Sequence, residues 1–382
     1  MNQPQAPEKP QKAPPSPMTP QPHDAHDLLV RVFAVCIAAT LLLSVALVVL
    51  LYFRPASRPG EGDTSAETTA GAGESTGDPN HVPVTYPTAA SREDYRFTGT
   101  GSTMAIENLS AKSAILVSLS DYSVVSSLDA DAPIYPASMT KIMTLIVACE
   151  NIKDASVTLT VDQKLYETCA KAGATTLVAP SESYPVVNDS FSATDMLYSV
   201  GILSAADACL VLANHIAGSE EAFVALMNEK CTALGLTKTK FVNCTGLDSD
   251  NGENENVSTV REMATILAYA LDNPFCKEIL TTDERLAIGT YNEGTPFPYN
   301  RYLINTLTTR LGSAGFKKQL PVKIGTTRSL LGGKTGYTDK GKFCLASVAS
   351  DDSGNLYIVV TAAGETSVSS ITDLDAIHRA YP

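Results

Sequence analysis

The stretch "YPASMTKIMTLIVACENI", residues 135–152, sets a serine and a lysine three positions apart at the front of an apolar run. Residues three apart share one face of a helix, which puts Ser138 and Lys141 within reach of each other. This segment alone leaves two interpretations open. Either Ser138 caps a helix and Lys141 is a surface charge, or the two form a nucleophile and its base. Residues 139–147 are apolar on nearly every side, which predicts a central, buried helix.

The composition is that of a globular protein, with 44% hydrophobic and 18% charged residues in a chain of 382. The formal net charge is −13, and no basic tract offsets it. The phosphates of a nucleic acid would be repelled by such a protein. We therefore expect no nucleic-acid partner.

The first 98 residues differ in composition from the rest. Residues 1–31 are rich in proline and glutamine and predict a disordered tail. Residues 32–53 carry no charge over a length that matches the bilayer core, which predicts a transmembrane anchor. A buried core helix and a cleaved signal peptide remain alternatives. Residues 54–98, dominated by Gly, Ser, Thr, Pro and acidic residues, are typical of a flexible linker. We expect a single-pass cell-membrane protein whose folded part, residues 99–382, lies outside the cytoplasm.

The pattern of residues 99–382 predicts one α+β domain. Two strands flank a turn at residues 120–122. Helical segments follow at 192–219, 220–235 and 257–273. The late part of the chain returns to strands, with "GGKTGYT", "KFCLASVAS" and "LYIVVTAAG", and closes with the helix "ITDLDAIHRAY". Strands at both ends with helices between them predict one antiparallel sheet that the two terminal segments share.

Common catalytic layouts other than serine and lysine are poorly supported. Three of the five histidines lie in the tail or linker, and neither a G-x-S-x-G elbow nor H-E-x-x-H occurs. The cysteines show no C-x-x-C pair and no metal-ligand spacing with histidine. We predict no metal and no cofactor. A disulfide between Cys231 and Cys244 is compatible with the sequence but not established by it.

A second motif favours the nucleophile interpretation. Lys334, Thr335 and Gly336 open a predicted strand late in the chain. There, a lysine ammonium and a hydroxyl can bind a substrate carboxylate, and the glycine lets another backbone approach the strand edge. A lysine can also act as a base when burial or a neighbouring cation destabilises its ammonium form. The early S-x-x-K and the late K-T-G therefore favour Ser138 as nucleophile and Lys141 as base.

The chain from about residue 100 to residue 382 resembles the serine-type D-alanyl-D-alanine carboxypeptidases, the low-molecular-weight penicillin-binding proteins of peptidase S11 type. The resemblance is carried by "YPASMTKIMT", "LGLTKTKFVNCTGLD", "VSTVREMA" and "GGKTGYTDKGKFCLASV". It implies a transpeptidase/β-lactamase-like fold, an antiparallel sheet with an all-helical lobe. It also implies removal of the terminal D-alanine from peptidoglycan stem peptides, and acylation by β-lactams. The family often appends a small β-rich domain, which we do not expect after the predicted last helix here.

The resemblance implies a catalytic group and a substrate-binding group. Ser138 would attack the penultimate D-alanine carbonyl, and Lys141 would be its general base. Ser204, at the first position of the family's S-x-N motif, would relay protons to the leaving amine.

For the substrate, Lys334 and Thr335 would bind the terminal carboxylate. The backbone N–H groups of Ser138 and Tyr337, the latter next to Gly336, would form the oxyanion hole.

The sequence departs from the family pattern at one position. Ala206 stands where the S-x-N motif has its asparagine, whose amide would contact the base lysine and the substrate backbone. Losing a hydrogen bond to a charged group costs roughly 1.5–3 kcal/mol, which is about one to two decades of rate. A catalytically weakened or silent peptidoglycan-binding protein therefore stays open as an alternative. A serine β-lactamase is a further one, although the E-x-x-L-N motif of its commonest class does not occur.

Overall fold

The computed structural model describes residues 94–165, 167, 190–249, 254–290 and 298–382, all within the compact unit Gly77–Pro382. The predicted tail, the predicted transmembrane segment and nearly all of the predicted linker lie outside the described residues. Within the described ranges, no single helix has the length and apolar content of a membrane span. One pair, Ala206–Ala217 with Glu220–Ala233, reaches that length only together and across an 86° bend.

The described residues form two sheets and a set of helices. The strands, in chain order, are β1 (Ser102–Thr103), β2 (Ser113–Ser118), β3 (Val124–Leu128), β4 (Thr158–Thr160), β5 (Ser190–Ser192), β6 (Glu284–Thr290), β7 (Pro298–Ile304), β8 (Val322–Ile324), β9 (Arg328–Thr338), β10 (Lys342–Ser350) and β11 (Leu356–Gly364). The principal helices are α1 (Lys141–Asn151), α2 (Ala193–Tyr198), α3 (Ala206–Ala217), α4 (Glu220–Ala233), α5 (Val260–Asp272), α6 (Pro274–Thr281), α7 (Thr306–Ser313) and α8 (Ser367–Ala380).

The larger sheet joins the two ends of the domain, as the sequence predicts. Its strand order is β1-β3-β2-β11-β10-β9-β8. Neighbouring strands are antiparallel except β1 and β3, which pair in parallel with Ser102 opposite Ser126. The prediction of a purely antiparallel sheet is wrong for this pair. β1 lies on the outer side of β3, and residues 104–112 carry the chain past β3 to the start of β2.

Side chains on the two faces of the larger sheet enter two different cores. On β2, Ile115 and Val117 join the larger core, which contains α1 and α5, while Leu116 joins the smaller core under α7 and α8. This alternation follows from the two-residue period of a strand. The predicted buried helix is confirmed, because α1 is buried from Lys141 to Cys149. The 3-10 turn that precedes α1, Ala137–Thr140, packs against β9.

The helical lobe contains a break that the sequence pattern does not predict. The segment 192–219 divides into α2, a π-helical turn (Ser199–Leu203) and α3. Ser204 ends the turn in the left-handed conformation, with φ of +65°. A second, antiparallel sheet has the strand order β4-β5-β6-β7. Its strands contact α2, the π-helical turn and α3. The thiols of Cys231 and Cys244 are both buried and free, so they form no disulfide.

Candidate active site

Ser138 lies in a 3-10 turn, Ala137–Thr140, that leads directly into α1. Ala137 has φ of +49°, a left-handed conformation that costs a non-glycine residue about 1–2 kcal/mol. Such strain persists where the surrounding structure holds it, and it is common at functional sites. Gly246 packs directly against this turn, since a Cβ added to Gly246 would lie 2.0 Å from Ala137 O. The close approach of two backbones therefore fixes the turn that carries Ser138.

Lys141, the first residue of α1, points back to Ser138. Its Nζ donates to Ser138 Oγ (3.0 Å) and to the Thr245 carbonyl oxygen (2.5 Å). The side chain is 1% exposed. Burial lowers the pKa of Lys141, and the nearby Asp207 carboxylate opposes this only in part. A lysine with a lowered pKa is more often neutral, and a neutral amine at this distance can take the proton of Ser138.

The segment 243–246, for which the sequence predicts no catalytic role, supplies the second partner of Lys141. Asn243 Oδ1 accepts from the backbone N–H groups of Thr245 (3.2 Å) and Gly246 (2.7 Å), which makes a tight Asx turn. Thr144 Oγ1, one turn into α1, donates to Cys244 O (2.7 Å). The turn chemistry of Asn-x-Thr-Gly is visible in the sequence. The acceptor role of the Thr245 carbonyl is not visible in the sequence, because every residue type carries a backbone carbonyl.

Ser204 and Ala206 lie at the entrance to α3, which packs against α1. Asp207, in the first turn of α3, is buried, and its carboxylate interacts electrostatically with Lys141. Among the hydrogen bonds of the described residues, none joins Ser204 to Ser138 or Lys141. Ala206 is 5% exposed and belongs to the larger core. A methyl group thus fills the position at which the S-x-N pattern has an amide.

The K-T-G segment lies on β9, with Gly336 against the Ser138 turn. A Cβ on Gly336 would lie 3.0 Å from Pro136 O and 3.2 Å from Ser138 N. Lys334 is 1% exposed, and its Nζ donates to Thr335 O (3.0 Å). Burial first, and then the nearby Lys141 and Arg310 side chains, lower the pKa of Lys334 well below that of an ordinary lysine. The structure therefore brings Ser138, Lys141, Lys334 and Gly336 into one site.

Tyr337 and Thr335 complete this strand end. The Tyr337 side chain is 48% exposed and donates to Asp339 Oδ1 (3.1 Å), while its ring lies 4.4 Å from that of Phe343. Thr335 Oγ1 shares a hydrogen bond of 2.7 Å with Thr306 Oγ1 on α7. One turn later on α7, Arg310 donates to the Gly336 carbonyl (2.9 Å). The sequence gives no signal for this helix, because no motif marks it and it is only eight residues long.

Solved structures define the class of the fold. The Streptomyces K15 DD-transpeptidase matches with a TM-score of 0.60 and 21% identity, covering 72% of this chain and 97% of that one. A D-alanyl-D-alanine carboxypeptidase from Mycobacterium tuberculosis H37Rv matches with a TM-score of 0.56 and 23% identity, covering 75% and 94%. The chain thus has a transpeptidase/β-lactamase-like α+β fold with a mixed sheet.

The family follows from the sequence comparison. The model of the peptidase S11 family, described as D-alanyl-D-alanine carboxypeptidase, matches residues 100–365, and the chain belongs to this family. D-alanyl-D-alanine carboxypeptidase DacF of Bacillus subtilis is 29% identical over 280 residues, which are 73% of this chain and 62% of that protein. DacC of Escherichia coli is 34% identical over 164 residues, 43% and 40% of the two chains. The matched regions cover less than two thirds of these relatives.

Proposed function

We propose that the protein is a serine-type D-alanyl-D-alanine carboxypeptidase that removes the terminal D-alanine of peptidoglycan stem peptides and is acylated by β-lactams. The observation that carries this proposal is the Lys141 Nζ, buried and 3.0 Å from Ser138 Oγ, with its pKa lowered by burial. Membership of the peptidase S11 family supports the same activity.

The acylation step uses Ser138, Lys141 and Ser204. Neutral Lys141 takes the proton of Ser138 as Oγ attacks the carbonyl carbon of the penultimate D-alanine. The peptide C–N bond then breaks, and the leaving amine of the terminal D-alanine receives the proton through Ser204. The shortened peptide remains on Ser138 as an ester. A water molecule then attacks the ester carbonyl as Lys141 takes one of its protons. The bond between the acyl carbon and Ser138 Oγ breaks, Lys141 returns the proton to Oγ, and the shortened peptide leaves with a new carboxyl group.

The substrate is held from β9. Lys334 and Thr335 bind its terminal carboxylate, which is a charge-assisted contact. The N–H groups of Ser138 and Tyr337 stabilise the negative oxygen of the tetrahedral intermediate. Gly336 lets β9 approach the Ser138 turn closely, because a Cβ on Gly336 would meet this turn. β-Lactams carry a carboxylate and a reactive amide carbonyl and would acylate Ser138 in the same site.

We also propose that residues 32–53 form an uncleaved membrane anchor with the catalytic domain outside the cytoplasm. The proposal rests on the uncharged apolar run and on the linker composition after it. Protease added to intact, wall-stripped cells should degrade residues 100–382. Protection of this region in the same assay would reject the orientation.

The activity is tested with a fluorescent penicillin and a peptide that ends in D-Ala-D-Ala. The parent protein should be labelled covalently and release D-alanine, and Ser138→Ala should lose both activities. Ser353→Ala, an exposed serine in the β10–β11 turn, is the matched control and should keep both. Label retained in Ser138→Ala would place the acyl group on another residue. A parent that neither binds penicillin nor releases D-alanine would be a silent binder. Rapid turnover of penicillin without D-alanine release would indicate a β-lactamase.

A further inference from the structure

Arg310 bridges two paired residues at the end of the substrate-binding strand. Its Nη2 donates to Gly336 O (2.9 Å), and its Nη1 donates to Cys344 O (3.1 Å) and Ser370 Oγ (3.3 Å). Gly336 and Cys344 stand opposite each other on β9 and β10. The guanidinium group also lies over the ring of Phe343, at 5.3 Å from its centroid. The guanidinium is therefore fixed in place, and its three polar partners are all neutral.

The Gly336 carbonyl belongs to the same peptide unit as the N–H group of Tyr337. A trans peptide unit is planar, and its C=O and N–H bonds point in opposite directions. A donor held on the carbonyl side therefore fixes the direction in which the N–H points. Hydrogen bonds from charged donors are the stronger ones, and linked hydrogen bonds polarise one another. The contact with the guanidinium should thus make the Tyr337 N–H a better donor.

We propose that Arg310 is a positioning residue that orients and polarises the Gly336–Tyr337 peptide for oxyanion binding. The inference rests on the proposed function, which makes the Tyr337 N–H an oxyanion donor. Arg310 touches the carbonyl side of the peptide and acts through it, and it needs no contact with the substrate. Oxyanion donors contribute most when their direction is fixed before charge develops in the transition state.

Helix α7 holds Arg310 in register with β9. The Asn305 side chain accepts from Leu307 N (2.8 Å) at the start of α7 and donates to Thr282 O (2.8 Å). Thr306 lies one turn before Arg310, and its hydroxyl bonds that of Thr335. The helix is thus attached to β9 at two consecutive residues, Thr335 and Gly336. A group carried by a packed helix is placed more exactly than one carried by a loop.

The test is Arg310→Met, which removes the guanidinium and keeps a long apolar side chain over Phe343. The infrared stretching band of the ester carbonyl in the penicilloyl-enzyme reports hydrogen bonding in the oxyanion hole. We expect this band to move to higher wavenumber in Arg310→Met. The kcat for D-alanine release should fall about 10- to 100-fold with KM changed less than about threefold, because the lost interaction belongs to the transition state.

Arg328→Met is the matched control. Arg328 is a buried arginine at the other end of β9, where it stacks on Tyr357 (3.7 Å) and donates to Tyr381 O (2.7 Å). Its loss should lower stability and leave the ester band unchanged. Arg310→Lys keeps a cation without the two-pronged fork, so its band and kcat should lie between those of the parent and Arg310→Met.

The outcomes separate the two proposals. A parent protein that forms no acyl-enzyme would overturn the proposed function. The positioning role would be refuted if the parent acylates and both Arg310→Met and Arg310→Lys have the same ester band position and the same kcat as the parent. The proposed function would then still stand. If Arg310→Met does not fold, the comparison of Arg310→Lys with the parent decides.

Discussion

Gly246→Ala should displace Ser138, the proposed nucleophile, without changing any side chain of the proposed catalytic group. Gly246 has φ of +74°, and an added Cβ would lie 2.0 Å from Ala137 O, 2.6 Å from Ala137 C and 3.1 Å from Ser138 N. These are backbone atoms, which cannot move aside by a change of rotamer. The Ser138 turn or the segment 243–246 must therefore shift by about 1 Å, and a misplacement of that size can cost about 100-fold in rate.

The stability cost has two parts that a control variant separates. The left-handed conformation costs an alanine about 1–2 kcal/mol, and forcing atoms into a packed site adds about 1–3 kcal/mol. Gly354 in the β10–β11 turn has a similar φ of +84°, with nothing within 4 Å of an added Cβ. Gly354→Ala should therefore lose only about 1–2 kcal/mol, the cost of the left-handed conformation, and keep the parent's acylation rate.

Urea unfolding gives the two free energies, and the rate of labelling by a fluorescent penicillin gives the acylation constant at matched folded fraction. We expect Gly246→Ala to lose about 2–5 kcal/mol in total and to acylate about 100-fold more slowly. Acylation of Gly246→Ala at the parent's rate, with no greater loss of stability than in Gly354→Ala, would show that Gly246 does not fix the Ser138 turn.

The remaining predictions concern three buried side chains. Ala206→Asn should raise D-alanine release about tenfold or more at matched folded fraction, because a hydrogen bond to a charged group is worth roughly 1.5–3 kcal/mol; an unchanged rate would mean that another group already makes this contact. Because burial lowers the pKa of Lys141, the acylation rate should rise with pH and level off below the ordinary lysine value, and a rate still climbing at that value would contradict a lysine base of lowered pKa. Burial and Arg328 lower the pKa of His378 from 6.5 to about 3, so the unfolded chain takes up this proton first. The contribution of His378 to the free energy of unfolding is complete above pH 6.5 and declines by roughly 5 kcal/mol towards pH 3. Urea unfolding measured between pH 3 and pH 6.5 gives the free energy of unfolding as a function of pH. In His378→Gln this free energy should change less with pH than in the parent, and an equal change in both proteins would contradict the prediction.

The strands and helices with strong local patterns could be predicted from the sequence. β10 and β11 have the predicted bounds, since β-rich runs flank Asp-Ser-Gly-Asn and both runs enter the core. The break at Ser204 could not be predicted in this way, because the apolar pattern runs through it and serine gives no signal for a left-handed residue. β5 has only three residues, and it pairs with β6 about a hundred positions later in the chain. A pairing of that kind depends on tertiary contacts and not on local periodicity.

The candidate site was predictable where side chains carry the chemistry, and less so where the backbone does. Ser138, Lys141 and Lys334 are recognisable because their residue types and spacing form motifs. Thr245 acts through its carbonyl oxygen, so almost any residue with the same backbone would serve. Arg310 lies 26 positions before Gly336 in the chain, and only the packing of α7 against β9 brings it there.

The substrate carboxylate that we propose as ligand explains why the site contains two buried cations, Lys334 and Arg310. Lys334 and Arg310 donate only to neutral groups, and neither forms an ion pair in the part of the chain that the structure describes. Burying a charge without a counter-ion is costly, and the pKa of Lys334 is lowered well below the usual lysine value for that reason first. A bound carboxylate would supply the missing counter-charge and raise that pKa again, because an opposite charge favours the ammonium form. Lys334 would then be fully charged when the substrate is present. Burial lowers the pKa of Arg310 to about 10, so its guanidinium stays charged near neutral pH and can orient the Gly336–Tyr337 peptide before the substrate arrives.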